Sequence, residues 1–175
     1  MNKIHRPSHY YFDDKIYFLT ARNINKTRFF DGEEKKYILK NIIKEAADVL
    51  EIKIYAWIIL DNHYHLLIYI PNGKNLPIFI KNINGKSSFL LNKIENLKDR
   101  KIWSNYWDTC IRNEKDFWMR FNYIHQNCIK HKHADLMNQY KFSSYNDWVE
   151  KNGVEWVNDV FEKYAIIDFT PSGDI

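Results

Sequence analysis

The chain has 175 residues, 45% hydrophobic and 17% aromatic, with a formal net charge of +4 and an isoelectric point near 8.9. That is enough apolar side chain to bury a core, which excludes a disordered chain, and no apolar run approaches the roughly 20 residues that span a bilayer. The mild basic excess permits a polyanionic partner without proving one. Two cysteines, Cys110 and Cys128, show neither metal-pair spacing nor a disulfide framework, and Met1 to Tyr10 holds no signal-type apolar segment, so a reduced, cytoplasmic setting is expected.

Lys15 to Arg22 reads as a first strand, buried at Ile16, Phe18 and Thr20. Asp31 then suits a helix N-cap, with Glu34 three residues on as its reciprocal partner. The helix it opens carries Ile38, Ile42, Ala46 and Val49 as an apolar stripe. Ile52–Leu60 and His63–Ile70 are rich in β-branched and aromatic residues and are joined by Asp61-Asn62, a hairpin signal; Pro71-Asn72-Gly73 stops the second strand. Leu76 to Leu97 predicts a second helix with Ile80, Ile83, Leu90 and Ile94 on one side, interrupted by Gly85. A β-like run from Trp107 to Arg112 follows, then a third helix from Asp116 to about His131, with Glu114 and Asp116 at its positive end. Beyond Lys141, the spacing of Trp148, Trp156, Val160 and Phe161 is that of packing side chains on helices.

Strand, helix, hairpin, helix and strand is the order of an α+β, ferredoxin-like sandwich: an antiparallel sheet with helices on one face. To this a C-terminal helical extension is added. One domain over 1–175 is expected, with its core over about 10–133 and an extension over about 134–175.

Within the second hairpin strand, His63 and His65 are separated by one residue, so they leave the same face with Cβ atoms about 7 Å apart. Both imidazoles can then turn toward one divalent ion, although two polar residues on a solvated edge strand are the plain alternative. Tyr123 and Asn127, four residues apart, share one face of the third helix. An Asn oxygen and imidazoles suit Mg²⁺ or Mn²⁺ and leave positions open for a phosphate oxygen. Tyr123 would be the nucleophile, helped by a metal that polarises the phosphate. Of its neighbours, His125 is expected at the surface or on DNA and Gln126 in solvent. A zinc site from His63, His65 and Cys128 is disfavoured, since a thiolate is soft.

Asn62-His63-Tyr64-His65-Leu66-Leu67 resembles the His–hydrophobic–His motif of single-tyrosine transposases. Tyr106 to Glu114, then Phe121-Asn122-Tyr123-Ile124-His125-Gln126-Asn127, and Ser143-Ser144-Tyr145 ahead of a tryptophan, are similar to the REP-associated branch of that family. The resemblance implies His63, His65 and Asn127 as metal ligands and Tyr123 as the attacking group, giving a 5′-phosphotyrosine link and a free 3′-OH. It further implies a homodimer acting, in the cytoplasm at the nucleoid, on single-stranded DNA beside a REP-like hairpin. Asn127-Cys128 stands where relatives carry Asn-Pro, and Asp61 where many carry Pro. Arg6, Arg22, Lys86, Arg112, Lys130 and Lys132 are the candidate backbone contacts to a single strand. Two other functions fit the same features. One is a non-catalytic DNA- or RNA-hairpin-binding protein with a vestigial site; the other is a rolling-circle initiator nuclease, which the short chain argues against.

Overall fold

The computed structural model describes residues 11–167 and 169. Four strands, β1 (Lys15–Asn23), β2 (Lys53–Ile59), β3 (His63–Ile70) and β4 (Trp103–Cys110), form one antiparallel sheet in the order β2-β3-β1-β4. Helices α1 (Glu33–Val49) and α2 (Asn75–Ile94) pack together, and α3 (Glu114–Lys130), α4 (Tyr145–Asn152) and α5 (Val154–Lys163) follow. This is the α+β arrangement that the element order predicts.

The two sheet faces have different covers. Tyr64 turns toward α2, where its hydroxyl donates to Asn84 Oδ1, and its ring meets Trp103. The next residue, His65, turns the other way and meets Tyr123 of α3. Because both faces are covered, β1 does not alternate as read: Tyr17, Leu19 and Ala21 are buried along with Phe18 and Thr20, while Ile16 is half-buried. Period-two patterning survives only where one face stays wet.

The helix ends and stripes also shift. The residue before α1 is Gly32, at φ +84°, with no side-chain cap; Asp31 instead pairs with Lys35 at 3.2 Å. The preceding Phe30 is fully buried and its N–H donates to Asp61 O, and this anchor sets the entry of the helix. The stripe of α1 is Leu39, Ile42, Ile43, Ala46 and Ala47, rotated from the one expected, and it leaves Val49 78% exposed. In α2, Leu76, Phe79, Ile80, Ile83 and Leu91 are buried, Ile94 is exposed, and the helix runs unbroken through Gly85. β4 ends at Cys110, two residues short of the expected limit.

The β2–β3 hairpin closes as predicted, Leu60 N–H donating to His63 O across Asp61-Asn62. On its other side β2 is sealed by the chain before α4: Ile59 N–H donates to Phe142 O and Ser144 N–H to Trp57 O. The tail aromatics pack as expected, Trp148 stacking on Trp156 with centroids 5.7 Å apart. Asn122 of α3 ties down the end of α5 by donating to Val160 O and Tyr164 O.

Candidate active site

β3 projects His63 and His65 from one face, with ring centroids 5.0 Å apart and both side chains buried. Each ring is steered by a neighbour. Asn62 Nδ2 donates to Lys26 O, which aims Asn62 Oδ1 at His63 Nδ1, 2.6 Å away. An amide oxygen only accepts, so Nδ1 of His63 carries the hydrogen and Nε2 keeps the lone pair. His65 Nδ1 is hydrogen-bonded to Thr20 Oγ1 at 2.8 Å, a partner supplied across the β1–β3 pairing. Burial, reinforced by the nearby His131, Arg22 and Lys130, pushes the His65 pKa down to about 3. Burial and the neighbouring His65 and His131 also hold His63 well below an ordinary histidine. Both rings are therefore neutral at physiological pH, the state in which imidazole binds a metal.

α3 brings the second half. Asn113 caps it, its side chain accepting from Asp116 N–H at 2.9 Å, and Glu114 and Asp116 occupy the first turn as expected. Tyr123 is 4% exposed; its ring stands edge-on to His65 at 5.3 Å and to Phe18 at 6.0 Å. One turn on, Asn127 donates from Nδ2 to Tyr123 O at 2.6 Å. Its Oδ1 is buried with no hydrogen-bond partner, and so is His65 Nε2. Such atoms are costly to leave unsatisfied, about 1–3 kcal/mol each. An imidazole nitrogen and an amide oxygen that both lack protein partners, beside a second imidazole, fit a divalent cation that accepts mixed N and O donors. Among the described residues, no group of three His, Cys, Asp or Glu side chains is arranged to hold a metal ion. The zinc alternative is not supported, because the buried Cys128 thiol donates to His125 O at 3.2 Å.

A cleft of about 510 Å³ opens beside the phenol, lined by Tyr123, Gln126, Asn127, Ile129, Lys130 and Ile166. Lys130, exposed, lies over the Tyr123 ring at 5.3 Å, and Phe169 covers another side of that ring at 5.3 Å. Arg22 pairs with His63 in the β1–β3 register. The structure thus brings Tyr123, His63, His65, Asn127, Arg22 and Lys130 together in one chain.

Other candidates fall elsewhere. Lys86 sits on α2, across the sheet, in an ion pair with Glu45. Arg112 is exposed in the β4–α3 turn and Lys132 just past α3; Arg6 lies outside the described residues. His125 is neither on the surface nor available to DNA. It is fully buried, its Nε2 bonded to Ser144 Oγ at 2.8 Å, because its side of α3 faces the chain entering α4. Gln126 is half-buried and lines the cleft.

Sequence reasoning missed Thr20, whose role depends on strand register, and Asn62, which was visible as the residue before the first histidine. It also missed His131, whose ring stands 4.9 Å from His63. The signal for His131 was present: 123, 127 and 131 form one four-residue series along a helix face. Cys128 in place of proline leaves α3 continuous to Lys130, and Asn127 stays in register with Tyr123.

The family described as "Transposase IS200 like" matches residues 13–127. A REP-associated tyrosine transposase of Escherichia coli (strain K12) is 24% identical over 155 residues, covering 86% of this chain and 90% of its own. A relative from Haemophilus influenzae (strain ATCC 51907 / DSM 11121 / KW20 / Rd), described in the same terms, is 24% identical over 143 residues, covering 75% and 80%. Among solved structures, a REP-associated tyrosine transposase bound to a REP hairpin superposes with a TM-score of 0.72 at 21% identity, over 98% of this chain and 96% of that one. At that identity the likeness speaks for the fold.

Proposed function

This chain belongs to the IS200-like transposase family, and from that premise we propose that it cuts and rejoins single-stranded DNA beside a REP-like hairpin, with Tyr123 as the nucleophile. The observation that carries the proposal is the meeting, within one chain, of the Tyr123 ring with the buried His65 imidazole, and of that imidazole with the Asn127 side chain, whose Oδ1 is buried.

The phenol oxygen attacks the phosphorus, a new P–O bond joins the 5′ phosphate to Tyr123, and the 3′ oxygen leaves, taking up a proton that balances the one the phenol gives up. Rejoining is the reverse, with a new 3′-OH as attacker. Asn62 and Thr20 hold the imidazoles with Nε2 outward, and the Asn127 bond to Tyr123 O locks its carboxamide. Lys130 and Arg22 put positive charge beside the reacting phosphate. A Mg²⁺ or Mn²⁺ ion held by His63, His65 and Asn127 would supply polarisation of the phosphate and a home for its developing charge. The cleft beside Tyr123 would receive the single strand, and base pairing in a hairpin would present that strand at a fixed position. The protein would work in the cytoplasm, at the nucleoid, as a homodimer. The described residues contain no helix long and apolar enough to cross a membrane.

Incubation with single-stranded hairpin DNA and Mn²⁺ should give a covalent protein–DNA adduct that survives denaturing electrophoresis. Tyr123→Phe should give none while still binding the hairpin, His63→Ala should lose the adduct and Mn²⁺ binding together, and EDTA should abolish the adduct reversibly. An adduct in Tyr123→Phe would assign the attack to another residue. No wild-type adduct on any hairpin would leave a hairpin-binding protein without catalysis.

A further inference from the structure

We propose that Trp107, on β4, is the platform on which the nucleobase next to the cleaved phosphate stacks. This rests on the strand-cleavage reading above and adds the substrate contact that reading lacks. Trp107 pairs with Thr20, and Thr20 with His65, so the three side chains leave the same face of the sheet, in line across three strands. Two strand spacings separate Trp107 from His65, about 10 Å, within a nucleotide's reach of the reacting phenol. α3 packs over β2 and β3 and reaches Phe18 of β1, so β4, at the far edge of the sheet, lies furthest from the helix.

Trp107 is unlike the other tryptophans. Of six in the chain, Trp103 is in the core, and Trp57, Trp118, Trp148 and Trp156 pack against it. Trp107 is half-exposed and, among the described residues, packs against no part of that core. Its neighbour Tyr106, which faces the other side of the sheet, does pack inward and is hydrogen-bonded to Tyr11. An aromatic ring placed on the catalytic face without burial contributes little to folding, which points to a ligand. The Arg22 guanidinium lies 6.0 Å from the ring centroid, which places positive charge beside the platform, where a backbone phosphate of the stacked nucleotide would run. Every base has a π face, which makes such a platform tolerant of sequence while still requiring an unpaired strand.

The test uses the full chain, Mn²⁺ and a hairpin oligonucleotide that gives the wild-type adduct, with an abasic site placed in turn at each position flanking the cut. Wild type should lose about 5- to 150-fold in kcat/KM at one of these positions, the range for one lost base–aromatic stack. Trp107→Ala should show that loss on the intact oligonucleotide, chiefly in KM, and no further loss when the same position is abasic. Trp107→Phe should keep most of the affinity. Fluorescence adds a readout independent of turnover: DNA should quench wild type more than Trp107→Phe. Wild-type cleavage with equal abasic sensitivity in Trp107→Ala would overturn the platform and leave the strand-cleavage reading standing. Absence of wild-type adduct would instead remove the reading beneath it.

Discussion

Asp61 offers a direct test of how the histidine strand is held. Its carboxylate is 6% exposed and receives Lys36 Nζ at 2.6 Å, itself 7% exposed. Arg28 reaches the other oxygen from solvent, and His133, just past α3, lies 3.9 Å away. One side chain thus links α1, the hairpin turn before His63 and the end of the tyrosine helix. Asp61→Asn keeps the shape but leaves the Lys36 ammonium buried beside a neutral amide. Removing one partner of a buried pair costs about 3–5 kcal/mol. At about 2–4 °C per kcal/mol for a chain of this size, Tm should fall by about 6–20 °C. Thermal unfolding followed by circular dichroism measures the fall in Tm, and urea unfolding with an unchanged m-value measures the loss of free energy. Lys36→Met combined with Asp61→Leu should recover most of the loss, because an apolar pair leaves no stranded charge. A loss below about 1 kcal/mol for Asp61→Asn would refute the reasoning, as would a double variant no better than the single one. Burial pushes the Asp61 carboxyl up, but Lys36 and Arg28 outweigh it and hold it below the usual carboxylate range. The stabilisation is therefore present above about pH 4 and is lost as pH falls through the lowered value.

His125 gives a dependence of the same sign in a higher pH window. Burial pushes its pKa down to about 3, so between about 6.5 and that value the unfolded chain binds a proton that the folded one refuses, and stability is lost as pH falls. From pH 6.5 to pH 5 the cost is about 2 kcal/mol, read as the difference in urea midpoints between wild type and His125→Gln; equal slopes for the two would contradict it. Thr20→Val removes the hydrogen bond that orients His65 and should weaken Mn²⁺ binding and adduct formation by about 10- to 100-fold, measured by calorimetry and initial rates. Unchanged Mn²⁺ affinity would mean that the ring is held by packing alone.

The elements and the reacting residues were legible because each announces itself locally. Apolar runs flank Asp61-Asn62, His63 and His65 alternate with buried neighbours, and Tyr123 and Asn127 sit one helical turn apart. What supports them was not legible, because it comes from other parts of the chain. Thr20 reaches His65 only through the β1–β3 register. His125 is hidden because Ser144, 19 residues on, returns to bond it. The burial of β1 on both faces depends on α3 crossing the side opposite α1 and α2. Trp107 could not be told from a packing tryptophan, since only its place on the outer strand of the sheet reveals it.

The seam that residues 142–144 lay along β2 gives the sheet a direction. With that margin already bonded, backbone pairing by a second copy has β4 left to it among the described strands. β4 also bears Trp107, so a partner joined there would set its own tryptophan beside the first and lengthen the nucleic-acid track instead of thickening the interior. Assembly and substrate reach would then share a single strand, and a substitution in β4 would be felt by both.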